Sequence, residues 1–330
     1  AAFDQFEAGD DRTAMLQQLL LNVRHELKQY HLNGASAQTI VTSHSWMIDQ
    51  LINAAGRIML QEIDRDDFAL VAVGGYGRAE LHPYSDIDLL VLFSRTPAVE
   101  EANAVGSFIR LLWDIGLEVG HSVRTLTECF AQSRDDVTVV TNLMESRFLC
   151  GEPSLFDELI AGIQPACLWS PGDFLAAKRS EQAMRYHRYD DTAYNLEPHL
   201  KEGPGALRDL HMISWIGRRT LGATTLNELL EQRLVSPNEF RSLLRARNLL
   251  WRMRNCLHFT AARREDRLLF QHQREIALFF GYVDTRTLAV EKLMKRYYRT
   301  VKELMFLNNL CLLYTSDAAD ERSSVDLGGR

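Results

Sequence analysis

The sequence predicts an α+β fold in which leading helices and a small mixed-sheet domain are followed by an all-α domain. Three observations support this prediction. Apolar residues recur at helical spacing through residues 11–31 and 36–62. Two apolar runs, 68–73 and 87–93, have the length and composition of strands. Beyond about residue 135, prolines separate segments of helical periodicity, which indicates that the rest of the chain is helical.

The leading helices are separated by Asn33-Gly34, a pair typical of turns. A third strand is predicted over 117–125, after a helix over 99–115 that ends at Gly116. The predicted organisation is N-terminal helices (1–62), a sheet core (63–134), a helical domain (135–310) and a tail (311–330). This tail resembles a translated adapter sequence, so we exclude it from the fold prediction and expect the natural chain to continue differently after Leu310.

The composition excludes several classes of protein. With 330 residues, of which 46% are hydrophobic and 25% charged, the chain can form a full core and two domains. A net charge of −7 argues against a general nucleic-acid binder. No apolar run has the length of a membrane span, so we expect a cytoplasmic protein. The five cysteines are odd in number and lack C-x-x-C spacing, which predicts buried thiols rather than a zinc site or a disulfide framework.

The candidate chemistry lies at 71–92, which reads Val-Ala-Val-Gly-Gly-Tyr-Gly-Arg-Ala-Glu-Leu-His-Pro-Tyr-Ser-Asp-Ile-Asp-Leu-Leu-Val-Leu. Asp86 and Asp88 are two residues apart on a predicted strand and therefore project from the same face. Carboxylates in an otherwise apolar strand are costly unless a cation binds them. Hard oxygen ligands favour Mg²⁺, with Mn²⁺ as the alternative. The competing interpretation is an ordinary turn between strands whose aspartates face solvent.

The glycines before this strand suit a phosphate. Gly74 and Gly75 end the first apolar run, and without a Cβ they let backbone N–H groups approach an anion. Arg78 offers a planar donor fork to the same anion, and Ser85 is either a phosphate donor or a turn residue. A Walker loop is excluded because no Gly-Lys-Ser/Thr follows, and the third glycine of a dinucleotide fingerprint is missing. The pattern therefore predicts a nucleotidyl-transfer site.

This segment resembles the nucleotidyltransferase domain of bacterial PII uridylyltransferase/uridylyl-removing enzymes. The resemblance covers roughly residues 40 to 310 and includes Leu-Trp-Asp-Ile-Gly-Leu-Glu-Val-Gly-His-Ser-Val-Arg-Thr (112–125), Thr-Asn-Leu-Met-Glu-Ser-Arg (141–147), Tyr-Asn-Leu-Glu-Pro (194–198) and Gly-Ala-Leu-Arg-Asp (205–209). It implies a polymerase β-like nucleotidyltransferase fold. It also implies a third carboxylate on a neighbouring strand, Glu118, so that Asp86, Asp88 and Glu118 would bind the metal ions of a two-metal mechanism.

The implied reaction is transfer of UMP from UTP to a tyrosine of the PII nitrogen-regulatory protein, with release of pyrophosphate. The metal motif does not select the base, so an adenylyltransferase acting on a protein such as glutamine synthetase is an alternative. A non-catalytic nucleotide-binding sensor is another. In the resembled family, uridylyl removal and glutamine sensing belong to downstream domains, so we expect this chain to attach uridylyl groups and not to remove them.

Strand alternation places Arg124 on the face of Glu118, which makes Arg124 a candidate nucleotide-binding residue. The same alternation places His121 on the opposite face as a core histidine. The family usually has glycine at the position of Ala206, so a positive φ there would strain this residue. The loop at 195–209 suits a nucleotide-closing segment, an inter-domain clamp or a solvated turn, and the charged run at 263–267 is predicted to be surface.

Overall fold

The computed structural model describes the backbone of residues 12–327 and the side chains of residues 13–315. The chain forms two compact units, Ala1–Ile163 and Gln164–Arg330. The sheet-containing unit therefore extends beyond the boundary expected at residue 135.

The first unit consists, in chain order, of α1 (Arg12–Leu32), α2 (Ala37–Met59), β1 (Phe68–Ala72), α3 (Gly74–Gly77), β2 (Ile87–Phe93), α4 (Val99–Asp114), β3 (Val119–Thr125), α5 (Leu126–Asp135), α6 (Val137–Met144), β4 (Arg147–Gly151) and α7 (Pro153–Gly162). The predicted break between the leading helices is present, with Gly34 at φ +87°. Ser36 then caps α2 by accepting a hydrogen bond from Thr39 N at 3.0 Å.

The four strands form one sheet in the order β3-β2-β1-β4. Strand β1 is antiparallel to β2 and β4, whereas β2 and β3 are parallel. The sheet is therefore mixed, as expected. All five residues of β1 are buried, and Asp88 is the one residue of β2 that is not fully buried. These central strands are almost continuously apolar because both of their faces are covered.

Strand β4 was not predicted from the sequence. The prediction of uninterrupted helix after residue 135 is wrong at Arg147–Gly151, which pairs with β1 at the edge of the sheet. The expected strand at 117–125 starts later, at Val119, and β2 starts at Ile87. Asp86 and Glu118 therefore lie immediately before their strands rather than within them.

The second unit consists of α8 (Pro171–Arg188), α9 (Leu207–Leu221), α10 (Leu226–Glu231), α11 (Pro237–Ala261), α12 (Phe270–Phe279) and α13 (Ala289–Leu327). Helix α13 continues through the segment excluded as a tail, and Cys311 is 3% exposed. Within the described part of the chain, no helix is both long and apolar enough to cross a membrane.

A buried carboxylate organises this unit. The Asp209 side chain accepts hydrogen bonds from Arg185 Nη2 at 2.6 Å, from Gly205 N at 2.7 Å and from the Tyr186 hydroxyl. Asn308 Nδ2 donates to Asp209 O at 2.9 Å, and Gln182 Nε2 donates to Asn308 Oδ1 at 2.7 Å. Helices α8, α9 and α13 thus meet at one polar cluster, which also holds the end of the 195–209 loop.

The strain considered for Ala206 does not occur. Ala206 has φ −90°, and the residue with positive φ is Gly205, at +73°. A Cβ atom on Gly205 would also lie 2.1 Å from Val301 O. The position that requires glycine is therefore Gly205, and alanine is tolerated at the next position.

Two other expectations for this unit are corrected. The charged run at 263–267 is not all surface, because Asp266 is 8% exposed and pairs with Arg254 Nε at 2.5 Å. The cysteines are not all buried, since Cys167 is exposed.

Candidate active site

The Asp88 carboxylate lies between two glycines. A Cβ atom on Gly74 would lie 3.2 Å from Asp88 Oδ2, and one on Gly120 would lie 2.9 Å from Asp88 Oδ1. The parallel pairing of β2 and β3 sets Asp88 opposite Gly120, and Gly74 adopts φ +58° at the start of α3. The two glycines therefore provide the space that the Asp88 carboxylate occupies.

Asp86 and Glu118 flank the start of the parallel strand pair. Ile87 N donates to Glu118 O at 2.8 Å, so the backbone of Glu118 lies beside the segment that joins the two aspartates. Asp86 is half-buried and Glu118 is exposed. Glu118 lies two residues before Gly120, which pairs with Asp88 in the strand register.

Arg24 of α1 lies near Glu118, and the sequence reasoning did not find it. Its Nη2 lies 3.4 Å from Gly116 O, and its guanidinium stands 4.8 Å from the centre of the Tyr84 ring. Burial lowers the pKa of Arg24, and the charges of Tyr84 and Glu118 offset part of that effect. No sequence signal marks Arg24, because the pattern of α1 shows only which residues face the core.

The donor set suits a hard cation, since Asp86 and Asp88 offer carboxylate oxygens from neighbouring positions. Among the described side chains, no group of three His, Cys, Asp or Glu residues is arranged to hold a metal ion. Metal binding by Asp86, Asp88 and Glu118 stays a prediction.

The glycine run forms a single helical turn, α3, rather than an open loop. The N–H groups of a first helical turn have no partner within the helix and are available to an anion. Gly74 and Gly75 are the first two residues of this turn. A Cβ atom on Gly77 would lie 2.1 Å from Glu145 O, so α3 and the end of α6 pack backbone against backbone.

Arg78 follows α3 and forms two ion pairs. Its Nε lies 2.6 Å from Glu80 Oε2, and its Nη1 lies 2.6 Å from Glu145 Oε1. Burial alone would lower the pKa of Arg78, but Glu145 and Glu80 outweigh it and raise the pKa. In this arrangement Arg78 fixes α3 to α6, and the phosphate contact expected of it stays a prediction.

A second network fixes α3 from the other side. The Tyr76 hydroxyl donates to Asp49 Oδ1 at 2.6 Å, and Arg147 Nη1 pairs with Asp49 Oδ2 at 2.8 Å. Burial, followed by the charge of Asp49, raises the pKa of Tyr76. The network links α2, α3 and β4. Arg147 belongs to the 141–147 segment. In the sequence, only the resemblance to the uridylyltransferase family drew attention to this segment.

Ser85 and Arg124 complete the residues expected from the sequence. Ser85 Oγ is buried and has no hydrogen-bond partner in the described part of the chain. Arg124 is half-buried and pairs with Leu92 in the strand register, four residues beyond the Asp88–Gly120 pair. At about 3.3 Å per residue, its backbone lies roughly 13 Å from that pair. The structure therefore does not place Arg124 directly beside Asp88.

His121 lies on the opposite side of β3 from Gly120, with its ring 5.9 Å from that of Trp113. It is exposed and not a core histidine, because β3 is an edge strand of the sheet.

Comparison with known proteins identifies the class. The family model described as Nucleotidyltransferase domain matches residues 57–150, which include α3, β2 and both aspartates. These residues of the first unit therefore form a nucleotidyltransferase domain.

The rest of the chain matches a second family model. Residues 173–312 match the model described as GlnD PII-uridylyltransferase. Over about nine tenths of its length, the chain is similar to proteins named bifunctional uridylyltransferase/uridylyl-removing enzyme. It is 46% identical over 299 residues to the protein of that name from Nitrosococcus oceani, covering 90% of this chain and 33% of the relative. The Pseudomonas aeruginosa relative is 42% identical over 300 residues, covering 91% of this chain and 33% of the relative.

A Pseudomonas putida relative of the same name is 43% identical over 296 residues, covering 89% of this chain and 33% of the relative. The chain therefore spans about one third of the length of the curated relatives that it matches.

Proposed function

We propose that the chain catalyses Mg²⁺-dependent transfer of UMP from UTP to a tyrosine of the PII regulatory protein, with release of pyrophosphate, in the cytoplasm. The observation that carries this proposal is the Asp88 carboxylate held between Gly74 and Gly120 with Asp86 beside it, in a chain similar to proteins named uridylyltransferases. The choice of UMP as the transferred group is based on the name of the relatives. The choice of PII as the acceptor is based on the description of the family model.

Asp86 and Asp88 would hold the metal, with Glu118 as the third carboxylate. A bound Mg²⁺ supplies positive charge to phosphoryl oxygens. The N–H groups of Gly74 and Gly75 would donate to the triphosphate, together with the hydroxyl of Ser85.

In the reaction, the tyrosyl oxygen forms a bond to the α-phosphorus while the bond to the β-phosphate bridge oxygen breaks. The tyrosyl proton is released, and pyrophosphate leaves. The site thus has to place two oxygens on opposite sides of one phosphorus, and catalysis rests on positioning and charge.

A nucleotide panel tests this proposal. The chain is incubated with Mg²⁺, α-labelled UTP or ATP, and either PII or glutamine synthetase, and label on each acceptor is measured. We expect label on PII from UTP and none with Asp88→Asn. Preferential labelling from ATP would favour the adenylyltransferase alternative, and nucleotide binding without transfer would favour the sensor.

A further inference from the structure

Within the 141–147 segment, the side chain of Asn142 takes no part in the two hydrogen-bond networks that hold α3. Glu145 pairs with Arg78, and Arg147 pairs with Asp49. Asn142, on α6, is exposed, and its amide makes no hydrogen bond to any described side chain or backbone group.

Asn142 borders the same space as Asp88. The position of a Cβ atom on Gly74 is 3.2 Å from Asp88 Oδ2 and 3.9 Å from Asn142 Oδ1. The amide and the carboxylate therefore face one small volume at the first residue of α3. An amide beside a carboxylate adds hydrogen-bonding groups to this volume without adding charge.

The position of Asn142 is fixed by its neighbours. Glu145 N donates to Thr141 O at 3.3 Å and to Asn142 O at 3.2 Å, which closes the end of α6. Glu145 also pairs with Arg78, and its carbonyl packs against Gly77. These contacts hold α6 against α3, so Asn142 is presented to Gly74 by rigid backbone and not by a mobile loop.

We propose that Asn142 is a nucleotide-binding residue whose side-chain N–H donates to a phosphate oxygen of the nucleoside triphosphate beside Gly74. The proposal rests on the proposed function. The oxygen and nitrogen of the amide exchange places by rotation about the terminal bond, so either can face the ligand. Donation is the better match to phosphate, because phosphate oxygens only accept hydrogen bonds and the adjacent Asp88 already supplies negative charge for a metal.

Binding of a non-hydrolysable UTP analogue in the presence of Mg²⁺ tests the proposal by calorimetry on the 330-residue chain. The variants are Asn142→Ala, Asn142→Asp and, as a matched control, Asn103→Ala, which alters an exposed asparagine on α4. We expect about tenfold weaker binding for Asn142→Ala, in line with the loss of one hydrogen bond to a charged group. Binding to Asn142→Asp should be weaker still, because its carboxylate repels the phosphate, while the control binds normally.

In turnover assays, Asn142→Ala should raise KM for the nucleotide more than it lowers kcat, with an unchanged melting temperature. If Asn142 had only a structural role, affinity for the nucleotide analogue would not decrease in the order asparagine, alanine, aspartate at this position. Binding by Asn142→Asp that equals or exceeds that of the unsubstituted chain would overturn the donor assignment and identify a metal ligand. Equal binding by Asn142→Ala would overturn the inference alone, whereas no binding by the unsubstituted chain would overturn the proposed function as well.

Discussion

Gly120 faces Asp88 across the parallel pair of β2 and β3, so closely that a Cβ atom at residue 120 would lie 2.9 Å from Asp88 Oδ1. Gly120→Ala should therefore rotate the Asp88 carboxylate away from its position without disturbing the exposed backbone of β3. We expect transfer activity to fall at least about tenfold, because small displacements of a catalytic group are costly. The melting temperature should change little. Steady-state rates and thermal unfolding measure the two effects.

The matched control is Gly106→Ala, because a Cβ atom on this residue of α4 would meet no atom within 4 Å. Alanine in the interior of a helix should stabilise the chain by about 0.5–1 kcal/mol. Its activity should equal that of the unsubstituted chain. Full activity of Gly120→Ala would show that the Asp88 position is not critical.

Asp86→Asn and Asp88→Asn should each lower the transfer rate by about a hundredfold or more, since each tenfold step corresponds to only about 1.4 kcal/mol of lost transition-state stabilisation. Both amides fit the space of the carboxylates, so thermal unfolding should be nearly unchanged. Asp114→Asn, which removes a charge from an exposed position on α4, is the control and should keep full activity. Near-normal rates in either site variant would exclude that aspartate from the metal site.

Glu118→Gln tests the third carboxylate, which the structure leaves exposed beside the start of β3. If Glu118 binds the same metal ions as Asp88, the substitution should raise the Mg²⁺ concentration needed for half-maximal rate. Its effect on rate should combine non-additively with that of Asp88→Asn. A double-mutant cycle measures the coupling, and strict additivity would place Glu118 outside the metal site.

Tyr76→Phe removes the hydroxyl that donates to Asp49 at 2.6 Å while keeping the buried ring. We expect a loss of about 1–2 kcal/mol in the free energy of unfolding, because a hydrogen bond to a charged group is lost in a largely buried site. The loosened α3 should also raise KM for the nucleotide. Tyr30→Phe, at a residue that is 59% exposed on α1, should change neither quantity. Equal urea unfolding curves for the two variants would contradict the role given to the network.

Acid should destabilise the chain below about pH 6.5 through His258. Burial lowers the pKa of His258 to about 4; the adjacent Asp266 opposes this shift, and Arg254 and Arg264 reinforce it. In the unfolded chain the pKa is about 6.5, so between pH 6.5 and 4 only the unfolded state binds this proton. The contribution of neutral His258 to the free energy of unfolding is therefore fully present above pH 6.5. It decreases by up to about 3 kcal/mol as the pH falls to 4. Urea unfolding between pH 7.5 and 4 measures it.

Replacement of His258 by asparagine should flatten this pH dependence, whereas the same replacement of His187, whose side chain is 89% exposed, should leave it unchanged. A stability that does not vary between pH 6.5 and 4.5 in the unsubstituted chain would contradict the prediction.

The sequence predicted those features that local patterns determine. Strand β2 was predicted with its observed ends, because the apolar run Ile87–Phe93 is interrupted only by Asp88. Strand β4 was missed because its five residues carry no alternation and become a strand only by pairing with β1. The pairing of Arg78 with Glu145 joins residues far apart in the chain, so no local pattern contains it. The short helix of Gly74–Gly77 was not predicted, since glycine disfavours helix unless packing imposes it.

The cluster around Asp209 has a consequence for synthesis on the ribosome. Its hydrogen bond between Gln182 and Asn308 joins positions 126 residues apart. Until α13 has left the ribosome, Asp209 lacks the donor that Asn308 gives its carbonyl, and Gln182 lacks the Asn308 acceptor. The hydrogen bonds of Gln182 and Tyr186 to Asp209 join α8 and α9 alone, so this part of the cluster can form before Asn308 has been synthesised. The contact of α13 with the Asp209 carbonyl requires a chain 99 residues longer than one that ends at Asp209.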